Sequence, residues 1–95
     1  MKTTPRAAEI IDVVFEDDYL FVGFESEAKY REFPLYSFYQ WLIENEKIDL
    51  GGTYINEDGF QEFIFSDDEA LNNSYDSKEQ EILVKEYLTS KALVA

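Results

Sequence analysis

Two side chains are missing altogether: the 95 residues contain no cysteine and no histidine. Without cysteine there are no disulfides, thiolate nucleophiles or thiolate metal sites, and a reducing cytoplasm becomes a compatible setting. Without histidine the chain lacks the usual general base near neutral pH, the commonest zinc ligand and the commonest pH switch. Basic residues are scarce. Eight Lys and Arg stand against twenty-one Asp and Glu, a formal net charge of -13. Direct nucleic-acid binding needs clustered cations to neutralise phosphates, so it is not expected, and anionic membranes should repel the chain. Long apolar runs are also absent. Met1-Lys2-Thr3-Thr4-Pro5 leads into no signal-type apolar segment and no stretch suits a bilayer, so a cytoplasmic location is expected.

What the chain does have is aromatic: one Trp, seven Tyr and eight Phe, within a hydrophobic share of 45%. Acidity alone would favour disorder, but acidity beside this much Phe and Tyr favours a compact core under an anionic surface. The charge is spread evenly. Residues 1–33 hold four basic and eight acidic side chains, 34–65 one and six, and 66–95 three and seven. No acidic tail can be detached. The net charge exceeds the magnitude of about 2–8 that keeps a small domain soluble. It serves either solubility alone or attraction to a basic partner, which would associate more slowly as salt rises.

The pattern predicts a flexible start over residues 1–8 and one α+β domain over 9–95. Ile10 to Phe15, Tyr19 to Phe24 and Lys29 to Phe33 read as three short strands joined by turns at Glu16-Asp17-Asp18 and Glu25 to Ala28, an antiparallel meander. Pro34 suits the first turn of a helix whose apolar stripe is Leu35, Phe38, Tyr39, Leu42 and Ile43, with Tyr36 and Trp41 on its margins. That helix is expected to fray over Asn45 to Lys47 and to be broken firmly by Gly51-Gly52. Thr53 to Ile55 and Phe60 to Phe65 form a hairpin through Asn56-Glu57-Asp58-Gly59, with Gly59 free to take positive φ. Ser66 with Glu69 and Ser77 with Gln80 have capping-box spacing. The first opens a short helical turn ahead of a loop at Asn72-Asn73-Ser74, and the second opens a final helix along Val84, Tyr87, Leu88 and the stem of Lys91. The expected fold is thus a small antiparallel sheet, meander plus hairpin, packed by one amphipathic helix, with a C-terminal helix.

No chemical motif stands out. Asn56, Asp58 and Gly59 have the flavour of a calcium loop, but Tyr54 and Phe65 occupy positions where an acid and a bidentate Glu belong, so a plain turn is expected. Asp67-Asp68-Glu69 reads as the acidic first turn of a helix rather than a cation site. There is no nucleophile–base pairing, no phosphate-binding glycine loop and no dinucleotide fingerprint. No enzyme activity, metal or cofactor is expected. The candidate partner-binding residues are Tyr36 and Trp41 as an aromatic patch, unless they only cover the sheet edge, and the acids Asp17, Asp18, Glu57, Asp58, Asp67 and Asp68.

Three stretches, Asp17-Asp18-Tyr19-Leu20-Phe21-Val22-Gly23-Phe24-Glu25, Phe33-Pro34-Leu35-Tyr36-Ser37-Phe38-Tyr39-Gln40-Trp41-Leu42, and Gly51-Gly52 ahead of a strand ending in Asp67-Asp68-Glu69, give the chain a pattern that resembles the small bacterial family called domain of unknown function 2442, over about residues 9–71. Phe65-Ser66 stands where that family has a Trp-Pro pair, the hairpin is longer, and the last helix has no counterpart. The resemblance implies no established activity and no site residues. It implies a place beside a second small protein, as the antitoxin-like half of a pair. Two functions are therefore expected to compete. One is a non-enzymatic module, antitoxin-like or an adaptor, that binds a basic protein. The other is a nucleic-acid mimic, of the kind a phage uses against a DNA- or RNA-binding protein, in which Asp17, Asp18, Glu25, Glu57, Asp58, Asp67 and Asp68 stand in for phosphates. A monomer or weak homodimer is expected, because the net charge opposes self-association.

Overall fold

The computed structural model describes residues 4–95. Strands β1 (Ile10–Glu16), β2 (Tyr19–Phe24) and β3 (Arg31–Pro34) form the antiparallel meander in the order β1-β2-β3. Alternation on β2 drives Leu20, Val22 and Phe24 into the core, each at most 1% exposed. Asp17 takes a left-handed conformation at φ 52 to turn β1 into β2, a conformation that Asp tolerates better than most residues. A register shift between Ile10 and Asp12 leaves Ile11 exposed as a bulge. On the sheet's outer face the Tyr30 ring covers Gly23, where a Cβ would lie 3.1 Å from the ring. The Tyr30 hydroxyl donates to Asp12 at 2.6 Å.

Helix α1 (Leu35–Glu44) packs on the inner face, and α3 (Ser77–Ser90) packs against both α1 and β1. This second helix changes which side of α1 is covered. Leu35, Phe38, Trp41 and Leu42 are buried, while Ile43, expected in the stripe, is 42% exposed. Trp41 stacks on Phe38, meets Tyr87 edge-on at 5.7 Å and donates its indole N–H to the Ser90 hydroxyl at 3.2 Å. Leu83, Val84, Tyr87 and Leu88 form the buried side of α3, and Lys91 is exposed. Its capping box uses Asp76 and Glu79, one residue before the expected Ser77 and Gln80. Between them, α2 (Asp67–Ser74) follows Ser66 as N-cap and includes the Asn72-Asn73-Ser74 expected to be a loop. Ala70 and Leu71 hold it to the core.

Helix α1 ends more sharply than expected. Glu46, at φ 55, is the left-handed residue of a Schellman cap in which its N–H bonds the Ile43 carbonyl and the Lys47 N–H bonds that of Leu42. Ala92, at φ 57, closes α3 the same way through Thr89 and Leu88. Pro34 is the N-cap of α1 rather than part of its first turn. The expected flexible start lies partly outside the described residues. Within them, Pro5 is buried, its carbonyl accepts from the Ala95 N–H, and the Ala7 N–H donates to the Ala95 carbonyl.

Strands β4 (Thr53–Ile55) and β5 (Gln61–Phe63) form a second sheet of their own, not an extension of the meander. Every residue of both strands is exposed, and the two contact little besides each other. The hairpin is an arm, and it accounts for the elongated outline of 52 × 21 × 20 Å. The radius of gyration is 15.3 Å, against about 12 Å for a compact chain of this length.

Candidate functional site: the hairpin arm and the cleft at its root

The arm is built by a short local code. Asn56 makes the turn, its side-chain carbonyl accepting from the N–H groups of Asp58 and Phe60 while its own N–H bonds the Phe60 carbonyl. Gly59, at φ 83, supplies the left-handed residue that a three-residue hairpin loop needs. The pairing of Tyr54 with Glu62 and of Ile55 with Gln61 sorts the side chains into two faces. On one face Glu62 accepts from the Tyr54 hydroxyl and the Asn56 amide, both at 2.9 Å. That bond to Glu62 raises the pKa of Tyr54 above its ordinary value. On the other face the Gln61 amide donates to the Thr53 hydroxyl at 2.9 Å.

These polar pairs stiffen the hairpin without covering its apolar side chains. Ile55 is 67% exposed, Phe60 69%, Phe63 57% and Ile64 52%. With Tyr54 and Phe65 they leave apolar side chains open on both faces of the hairpin. The arm also carries Glu57, Asp58 and Glu62 and no basic residue.

The root of the arm is anchored firmly. Ile48 is buried, and the Tyr75 hydroxyl donates to the Lys47 carbonyl at 2.6 Å. Gly51 and Gly52, at φ 77 and 92, turn the chain outward. They are the elbow of the arm rather than the stop of α1. The Phe65 ring lies so close to Gly51 that a Cβ there would sit 2.8 Å from it. Between arm and body opens a cleft of about 660 Å³, lined by Ile43, Ile48, Leu50, Phe63 and Tyr75, with Glu46, Lys47 and Asp49 also on its wall.

The expected site residues scatter around this feature. Trp41, placed on the helix margin from sequence, is corrected to a core residue at 7% exposure, covered by α3. Tyr36 is exposed at 72% and shares one side of α1 with Tyr39 and Ile43, about 10 Å along the helix from the cleft-lining Ile43. Asp67 and Asp68 open α2 beside Tyr39. Burial, then Asp68 and Asp67, raises the Tyr39 pKa, and burial followed by Asp68 raises that of Asp67. Glu57 and Asp58 sit at the tip of the arm, and Asp17 and Asp18 in the β1–β2 turn. The Asp18 carbonyl accepts the Leu35 N–H at the start of α1. Sequence reasoning missed Ile43, Ile55, Phe60 and Phe63. Their signal was present, since Phe60 and Ile64 on one face and Phe63 and Phe65 on the other make both faces apolar, which a one-sided sheet does not need.

Among the described residues no three carboxylates gather as a cation site. The Asn56 carbonyl is already committed to the turn. Among the described residues no helix is long and apolar enough to cross a membrane. Comparison with models of known families, with curated proteins and with solved structures gives no match to this chain.

Proposed function

We propose that the chain is a non-enzymatic interaction module whose hairpin arm and root cleft hold a basic protein partner. The observation that carries this reading is the arm itself: a projecting hairpin with exposed Phe60, Phe63, Ile55 and Ile64 on a molecule of net charge -13. A second copy is a poor occupant, because two arms would bring Glu57, Asp58 and Glu62 against their own kind. A partner with cations around an apolar patch satisfies both properties. An antitoxin-like or adaptor role fits such a module.

The test is affinity capture with the intact chain and with the double variant Phe60→Ser/Phe63→Ser, at low and moderate salt. The expected result is a stoichiometric basic protein that binds the first and not the second. A partner held equally by both contradicts the reading.

A second reading, mimicry of a nucleic acid, is favoured by the rod-like outline of 52 × 21 × 20 Å. The acids are sparse for it. Twenty-one of them lie along that length, where a duplex presents one charge per about 1.7 Å. In the same capture experiment, displacement of the partner by duplex DNA would favour mimicry.

A further inference from the structure

The main sheet guards its edges with a bulge, a cation and a proline, and the arm has none of these. The outer edge of β1 is broken by the bulge at Ile11, and β3 begins at Arg31 and ends at Pro34. The segment Ile48 to Ser66, which includes both arm strands, holds no Lys, Arg or Pro. Its main-chain bonds define which groups are left over. Asn56 bonds Phe60 and Gly52 bonds Ile64, so Tyr54 faces Glu62 as the bonded pair between them. The alternate residues of β5, Gln61 and Phe63, therefore turn their N–H and C=O groups outward, and among the described residues no third strand receives them. On β4 the corresponding edge is cut short by the two positive-φ glycines. On β5 the pairing continues from Phe60 to the bond between the Phe65 N–H and the Leu50 carbonyl.

We infer that the partner is held by strand addition: an extended segment of a different, basic protein pairs with the outer edge of β5 and makes the arm a three-stranded sheet. This rests on the reading of the arm as the partner-binding element and specifies how it binds. Main-chain bonds at Gln61 and Phe63 supply the pairing. Side chains of the added strand alternate between Glu62 on one face and Phe63 on the other, so the fitting segment alternates Lys or Arg with apolar residues. The carboxylates play a second part. They take the place of the missing lysines as guards, repelling another copy of this acidic edge while attracting a basic strand.

The test uses a capped synthetic peptide alternating lysine and valine, and the same peptide N-methylated on the amides of one edge, which keeps its charge and side chains. With the full chain, amide exchange at Gln61 and Phe63 should slow on adding the first peptide. N-methylation, or Gln61→Pro in the protein, should each weaken binding at least about tenfold, the equivalent of one main-chain hydrogen bond. Equal binding of the two peptides at the arm, seen as shifts of the Phe60 and Phe63 rings without amide protection, overturns strand addition and leaves the arm as a side-chain surface. Binding away from the arm, or none, overturns both.

Discussion

At the scale of single residues, Trp41 and Tyr36 separate what folds the chain from what faces outward. Both looked like margin residues of one amphipathic helix. A helical wheel could not show that α3 would cover one margin and leave the other open. Trp41→Ala removes a ring packed against Phe38 and Tyr87 and an indole bond to Ser90. It should cost about 3–5 kcal/mol, read as a large fall in thermal midpoint. Tyr36→Ala, at a 72% exposed site, should change stability by no more than about 0.5 kcal/mol.

Tyr54 offers a pH signature of the arm. Its bond to Glu62 raises its pKa above the ordinary 10.0. A raised pKa in the folded state means the bond stabilises fully below the unfolded tyrosine pKa and is lost as pH rises through the folded one. Ultraviolet titration, taken as wild type minus Tyr54→Phe, should show one tyrosine ionising late. Glu62→Gln should return it toward the ordinary value.

At the scale of elements, the meander, α1, the hairpin and α3 were all legible because each follows a short-range rule: period two, period 3.6, or a glycine turn. The ends of the elements were less legible, since caps depend on which residue the packing leaves at the boundary. Asp76 displaced Ser77 as the cap of α3, and Glu46 in a Schellman turn replaced the expected fraying of α1. The sequence specifies a hairpin here, yet not where that hairpin sits. Whether two strands join a sheet or leave it depends on the elbow at Gly51-Gly52 and the Phe65 ring closing on it, contacts that no periodicity encodes. Gly51→Ala tests that elbow. It combines a left-handed φ of 77 with a Cβ 2.8 Å from the Phe65 ring. Amide exchange across the arm should speed up about fivefold or more, corresponding to roughly 1 kcal/mol of local stability. The exchange of the buried strand β2 should stay as it was.

At the scale of the whole molecule, net charge and apolar arm oppose each other. The surface area of 6702 Å² exceeds the roughly 5,700 Å² of a compact monomer of this mass, consistent with an arm that stands free. Such a surface invites self-association, and the charge of -13 resists it. Sedimentation should find a monomer at low salt. In about 1 M salt, where charges are screened beyond about 3 Å, the wild-type chain should begin to self-associate and Phe60→Ser/Phe63→Ser should not. The acidity is plain in the sequence. Its meaning became specific only once the exposed side chains beside Glu57, Asp58 and Glu62 were known.

The arm's aromatic side chains are kept for contact and not for folding, and thermal unfolding of Phe60→Ser/Phe63→Ser beside the wild-type chain tests this. The two midpoints should lie within a few degrees of each other, because the two rings are 69% and 57% exposed and changes at such sites cost about 0.5 kcal/mol or less. If the rings were core residues, each loss would cost about 3 kcal/mol or more. A fall of about 20 °C or more would then follow, and that result would place the rings in the core and not on a contact surface.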